Sequence, residues 1–158
     1  MSEHEYRVDL TWTGNRGTGT SGYRDYDRAV TLSGTAKPDL LASADPHFRG
    51  DGTRWNPEEL LLAALAECHL LSYLHAAVST GVIVVDYSDE ASAAMTTQGN
   101  SGRITSATLR PRVTVADPAM VDAARAAHAL AHQWCFIANS VAFEVHLEPE
   151  TLVARPTL

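Results

Sequence analysis

Positive charge is in short supply in this chain: 12 Lys and Arg stand against 19 Asp and Glu, a formal net charge of −7. A nucleic-acid groove or an anionic membrane surface needs a surplus of cations, so neither is expected as the main partner. Cysteine is scarcer still, with 2 in 158 residues, Cys68 and Cys135. Two is too few for a disulfide scaffold and enough for one redox pair. A long uninterrupted hydrophobic run is also missing. The longest apolar stretch, Leu60 to Val78, carries Glu67, His69, Ser72 and His75, so it reads as a buried helix and not a membrane span. The start, Met1-Ser2-Glu3-His4-Glu5, is acidic with no apolar run behind it, unlike a secretory signal or an Arg-rich transit peptide. There are no internal repeats. These absences point to a soluble cytoplasmic protein, in a compartment where thiols stay reduced unless function oxidises them.

What is present suits one globular domain, residues 1–158: 45% hydrophobic and 20% charged residues can build a core without staples. Tyr6 to Trp12 alternates apolar and polar residues, which predicts a half-buried strand. Gly14 to Gly22 is a Gly/Ser/Thr-rich connection and lacks the Lys-Ser/Thr ending of a phosphate loop. Tyr26 to Leu32 and the region of Leu40 predict further strands. Asn56-Pro57-Glu58-Glu59 then has the form of a helix start: an Asn cap, Pro at the first position and a Glu that closes a capping box. The helix that follows is apolar on nearly every side and is expected at the centre of the fold. Gly81 ends it. One strand is predicted from Val82 to about Thr97, a turn over 98–102, and a partner strand from Arg103 to Val115. Asp117-Pro118 opens a second helix to about Trp134, Val141 to Leu147 closes the sheet, and Glu148 to Leu158 reads as a surface arm. The fold class is α+β, with helices packed on antiparallel sheet.

The cysteines carry the chemistry, on more than one reading. A free Cys is most often a small buried hydrophobe. As a pair, one thiol attacks a peroxide and the other resolves the sulfenic acid into a disulfide. The attacking sulfur must be a thiolate, which needs a cation or a dipole. Cys68 lies twelve residues past the Asn56 cap, too deep for the helix N-terminus to help, so a cation among Arg24, Arg49 and Arg54 is required. Glu58 precedes Cys68 by ten residues, about 15 Å along a helix. The two could share a site if two copies of the helix packed antiparallel across a dimer. A zinc reading competes, since His128, His132 and Cys135 fall on one helical stripe, with Cys68, His69 or His75 as a possible fourth ligand. A Cys-His hydrolase is weaker, because His69 points about 100° away from Cys68 on a helix.

The segment Asn56-Pro57-Glu58-Glu59-Leu60-Leu61-Leu62-Ala63-Ala64-Leu65-Ala66-Glu67-Cys68 resembles the Asn-Pro-Glu-(Glu/Gln)-Leu…Ala-x-Cys motif of the OsmC/Ohr family, the osmotically induced and organic-hydroperoxide-resistance proteins. Ala131-His132-Gln133-Trp134-Cys135, followed by Asn139-Ser140, resembles its second motif, with Phe136 standing where the family usually has Pro. The resemblance implies an intertwined α+β homodimer and a thiol peroxidase that reduces organic hydroperoxides. In it Cys68 is the peroxidatic nucleophile, Cys135 the resolving thiol, and an external dithiol the reductant. It implies no cofactor and no metal. It assigns Glu58 to orient an Arg that stabilises the thiolate. That Arg is Arg24 if Gly22-Tyr23-Arg24-Asp25 corresponds to the family's Gly-Gly-Arg-Asp, or Arg49 in Phe48-Arg49-Gly50, with His47 also in the aligned neighbourhood. A hydrophobic-ligand carrier of the same fold and a zinc-binding protein are the alternatives.

Overall fold

In a computed structural model that describes residues 1–155, the chain divides into two compact units, Met1–Leu60 and Leu61–Leu158. The first holds a three-stranded antiparallel sheet of β1 (Asp9–Trp12), β2 (Val30–Ser33) and β3 (Leu40–Ala42). Leu10 stands opposite Leu32, and Trp12 opposite Val30. All four β1 residues are exposed, so the half-buried strand predicted from the alternation is shorter and uncovered. Behind β1, the connection turns back through an isolated bridge between Asn15 and Tyr26, and the Trp12 indole donates to the Asp27 carbonyl at 2.9 Å. Gly14 is needed here, because a Cβ would fall 1.9 Å from the Asp27 carbonyl oxygen.

Helix α1 (Pro57–Ser79) begins as the sequence predicts. The Glu59 N–H donates to Asn56 Oδ1 at 2.8 Å, and the Asn56 N–H donates to Glu59 Oε2 at 3.1 Å, a reciprocal box that satisfies two otherwise orphaned donors. It ends at Gly81, whose φ of 75° lies in the left-handed region that a Cβ disfavours. By length and composition α1 is the one helix among the described residues that could cross a membrane. Its buried residues are Leu65, His69, Tyr73, Ala76 and Ala77. Leu71, Leu74 and Val78 are exposed, so the burial on all sides expected from its apolar sequence is not reached within one chain.

The strands after α1 differ from the two long ones predicted. Each is split: β4 (Val84–Asp89) and β5 (Ser92–Gln98), then β6 (Ser101–Leu109) and β7 (Pro111–Val115). The two breaks lie together. Pro111 has no N–H to donate, and the Arg110 N–H leaves the ladder to donate to Asp89 Oδ1 at 2.7 Å. The Arg110 guanidinium then ties the corner to Ser92 Oγ at 2.9 Å and to Glu148 Oε2 at 2.8 Å. One long hairpin is thereby shared between two sheets, β4-β7-β9 and β5-β6-β8.

Asp117 caps a short 3-10 turn that leads into α2 (Val121–Trp134). The closing strand β8 (Glu144–Leu147) pairs in parallel with β6. The expected surface arm is instead partly strand: β9 (Glu150–Val153) pairs in parallel with β7, and 156–158 lie outside the described residues. The α+β class with two main helices holds, and each of these two sheets takes one parallel strand beside its antiparallel pair. Two apolar clusters fill this unit. One joins Tyr73, Ala76 and Ala77 of α1 to Val113, Val115 and the Ala124-Ala127-Ala131 stripe of α2. The other contains Leu65, Ala107, Leu109 and Cys135.

Candidate active site

Cys68 is half-buried on α1, and Cys135 is fully buried at the residue that caps α2. Both are free thiols, and Cys68 packs on the cluster that contains Cys135. Two cysteines 67 positions apart in sequence are therefore neighbours in space. The reason is the α1–α2 packing, which lays the middle of one helix against the end of the other.

Their environments differ. Burial pushes the Cys135 thiol up to about 11, so it is protonated at neutral pH. The Ala138 N–H donates to its sulfur at 3.4 Å, which holds the side chain in place. The last turn of α2 presents the negative end of a helix dipole, a further reason for Cys135 to stay a thiol. A rigid 3-10 turn, Ala138–Ser140, follows. It is fixed by Asn139 Nδ2 donating to the Gln133 carbonyl at 3.0 Å and Ser140 Oγ donating to the Phe136 carbonyl at 2.7 Å. Phe136, in the place of the family proline, is 78% exposed.

A cavity of about 580 Å³ opens over Cys68, lined on α1 by Leu71, Ser72 and His75 and on the other side by Gln133, Trp134, Phe136 and Asn139. The apolar part of this lining is Leu71, Trp134 and Phe136. Leu65 belongs to the core beneath, and Leu74 is not part of the lining.

Behind the site lies a histidine pair that the sequence reading did not anticipate. His69 Nε2 and His128 Nδ1 are 3.2 Å apart, their rings nearly parallel at 4°, and both side chains are buried. The Tyr73 ring stacks on His128 at 4.2 Å, and its hydroxyl donates to the Ala124 carbonyl at 3.0 Å. Burial lowers both histidines to about 4, so they are neutral at pH 7. Spacing alone placed His128 with His132 and Cys135 on a zinc stripe. The His128 ring instead turns to His69, and no group of three His, Cys, Asp or Glu able to hold a metal occurs among the described residues.

The remaining residues predicted for the site belong to the first unit. Glu58 is half-buried in the first turn of α1. Arg24 is exposed, and its carbonyl accepts from the Arg16 guanidinium. Arg49 is exposed with a φ of 66°, where it closes the 3-10 turn Pro46–Phe48. His47 sits beside it, with Nδ1 2.7 Å from Asp45 Oδ1.

A family model described as OsmC-like protein matches residues 50–150. Among solved structures, an OsmC-like protein of unknown function from Vibrio cholerae O1 biovar eltor superposes with a TM-score of 0.81 at 32% identity, over 94% of this chain and 99% of that one. An organic hydroperoxide resistance protein OsmC from Legionella pneumophila gives 0.65 at 20% identity, over 96% and 100%. An organic hydroperoxide resistance protein from Elizabethkingia anophelis gives 0.67 at 14%, over 97% and 100%. These last two likenesses are of fold. No curated protein matches the chain.

Proposed function

The chain belongs to the OsmC-like family, and from that premise we propose that it is a thiol peroxidase that reduces organic hydroperoxides to alcohols. The observation that carries the reading is the pairing of a half-buried Cys68 at an apolar cavity with a buried, protonated Cys135 packed beside it. The Cys68 thiolate attacks the terminal peroxide oxygen, and the O–O bond breaks. The sulfur becomes a sulfenic acid, and the alkoxide leaves and takes a proton to give the alcohol. The Cys135 thiol then attacks the sulfenic sulfur. An S–S bond forms, and the thiol proton departs with the hydroxyl as water. An external dithiol restores both thiols by exchange. A resolving cysteine that stays protonated until then is not itself consumed by the oxidant.

The reading needs a cation for the Cys68 thiolate, and names Arg24 or Arg49 for it, with Glu58 as the residue that orients that Arg. It treats 1–158 as a single OsmC-like domain in a cytoplasmic homodimer, a second copy covering the exposed Leu71, Leu74 and Val78 of α1. The apolar lining favours an alkyl hydroperoxide over hydrogen peroxide. No cofactor takes part. The test is one equivalent of cumene hydroperoxide added to reduced protein, followed by a thiol count and an intact mass. The expected result is loss of both thiols to an internal disulfide, and no peroxide consumption by Cys68→Ser. A ligand carrier of the same fold would keep both thiols, and that outcome would overturn the proposal.

A further inference from the structure

The buried face of α2 is smooth. Its buried residues are Ala124, Ala127, His128 and Ala131, so His128 carries the one buried side chain there larger than a methyl group. Alanines raise only shallow ridges, and ridges seated in grooves are what fix one helix along the axis of another. A slide by one residue is only about 1.5 Å. Two side-chain hydrogen bonds cross from α1 to this face. His69 Nε2 meets His128 Nδ1 at 3.2 Å, and one turn further along α1 the Tyr73 hydroxyl donates to the Ala124 carbonyl at 3.0 Å. The second tie lies four residues later on α1 and four residues earlier on α2, as in an antiparallel ladder. Burying two imidazoles carries a desolvation cost that an apolar pair would avoid, and it leaves His69 Nδ1 and His128 Nε2 without partners among the described residues. What a buried polar contact supplies against that cost is one defined register.

The register matters at the thiols. Cys68 is the chain neighbour of His69, and Cys135 follows His128 by seven residues, two turns along nearly the same side of α2. The histidine contact is therefore the nearer of the two ties to the cysteines. A disulfide closes only over Cα separations of about 4.4–6.8 Å, a window that a slide of one or two residues leaves. We propose that His69 and His128 are positioning residues for the disulfide: their hydrogen bond holds α1 and α2 in the register that sets Cys135 against Cys68. This rests on the reading of Cys135 as the resolving thiol, and adds to it two residues that act through the helices and not on the sulfurs. The Tyr73 ring, stacked on His128 at 4.2 Å, keeps the imidazole turned toward α1.

The test needs no peroxide. Native protein, His128→Phe and His128→Asn are equilibrated with mixtures of oxidised and reduced dithiothreitol, and the disulfide fraction is read by mass after alkylation. His128→Phe keeps a ring against Tyr73 but has no nitrogen for His69. It is expected to raise the ratio of oxidised to reduced dithiothreitol at half-oxidation about tenfold, or about 30 mV, because the two thiols are less well placed for each other. His128→Asn puts an amide atom where Nδ1 stands and is expected to recover most of the native ratio. A variant that is merely less stable shows a lower urea midpoint with an unchanged ratio, and that result would overturn the inference. So would a shift that His128→Asn shares in full, since lost packing would then be the cause, or a native protein that forms no Cys68–Cys135 disulfide at any ratio. One equivalent of cumene hydroperoxide supplies the second arm. Cys68 is expected to be oxidised in His128→Phe at the native rate, while dimedone traps a sulfenic acid that lives about tenfold longer. An unshifted ratio in a protein that consumes peroxide sinks the role of the histidines and leaves the peroxidase reading intact. A shifted ratio in a protein that never consumes peroxide sinks the peroxidase reading and leaves the histidines as the residues that set the pair.

Discussion

At the scale of single residues, Cys68 and Cys135 are chemically alike in the chain and unlike in the fold. One faces a cavity, and the other is sealed in the core with its thiol pushed up to about 11. That difference predicts different phenotypes. Cys68→Ser is expected to end peroxide consumption. Cys135→Ser is expected to react once, leaving a sulfenic acid on Cys68 that dimedone traps in the mass spectrum, with multiple turnover on a dithiol reduced at least tenfold. Continued full turnover of Cys135→Ser would exclude it as the resolving thiol. The thiolate's cation is a second residue-scale question. Of Arg24→Ala and Arg49→Ala, one is expected to slow consumption of cumene hydroperoxide at least tenfold, and the other to leave it unchanged. Full activity in both variants would remove both from the site.

At the scale of elements, α1 combines a start written in local sequence with a face that local sequence left undecided. The start rests on two reciprocal hydrogen bonds between Asn56 and Glu59, so Asn56→Ala is expected to destabilise the protein by about 1 kcal/mol in urea unfolding. The stop at Gly81 needs a positive φ, and Gly81→Ala is expected to cost about 1 kcal/mol in the same assay. These ends were legible because a cap is a matter of four adjacent residues. The division of the two long strands was not. It depends on Arg110 meeting Asp89, Ser92 and Glu148, groups far apart in sequence, although Pro111 inside a strand pattern was a signal that could have been used. Strand β9 was missed for a related reason. Glu150–Val153 is a short piece with weak alternation, and its partner β7 is supplied by the fold.

At the scale of the molecule, the buried histidine pair links stability to pH. Both imidazoles are held near 4 by burial, below the ordinary value of 6.5, so the folded state binds fewer protons than the unfolded chain through that interval. The stability they permit is complete above pH 6.5 and declines as the pH falls toward 4, by up to about 1.4 kcal/mol per pH unit for each imidazole. The groups around them do not cancel this. Tyr73 on α1 and Tyr87 on β4 have hydroxyls that burial keeps neutral, and His132 on α2 is another base that acts against protonation of His69. Asp89, whose charged form burial penalises, favours the fold in acid and softens the lower end of the slope. Urea midpoints measured from pH 8 to pH 4 are expected to fall steadily below 6.5, and His128→Phe to halve the slope. A flat profile would mean that the pair is not neutral in the fold.

The sequence by itself determined the class of the protein and singled out the two cysteines on which the proposed chemistry rests. A net charge of −7, two cysteines in two family motifs and a capped apolar helix were enough, because each is a property of composition or of neighbouring residues. Only the tertiary structure decided that Cys135 is buried and protonated beside Cys68, that His128 turns to His69 instead of a metal stripe, and that His75 shares a cavity with the thiol. Each of these depends on where α1 lies against α2. Burial, desolvation and the contact of residues about sixty positions apart have no local signature in a chain, since they come into being only when the helices pack.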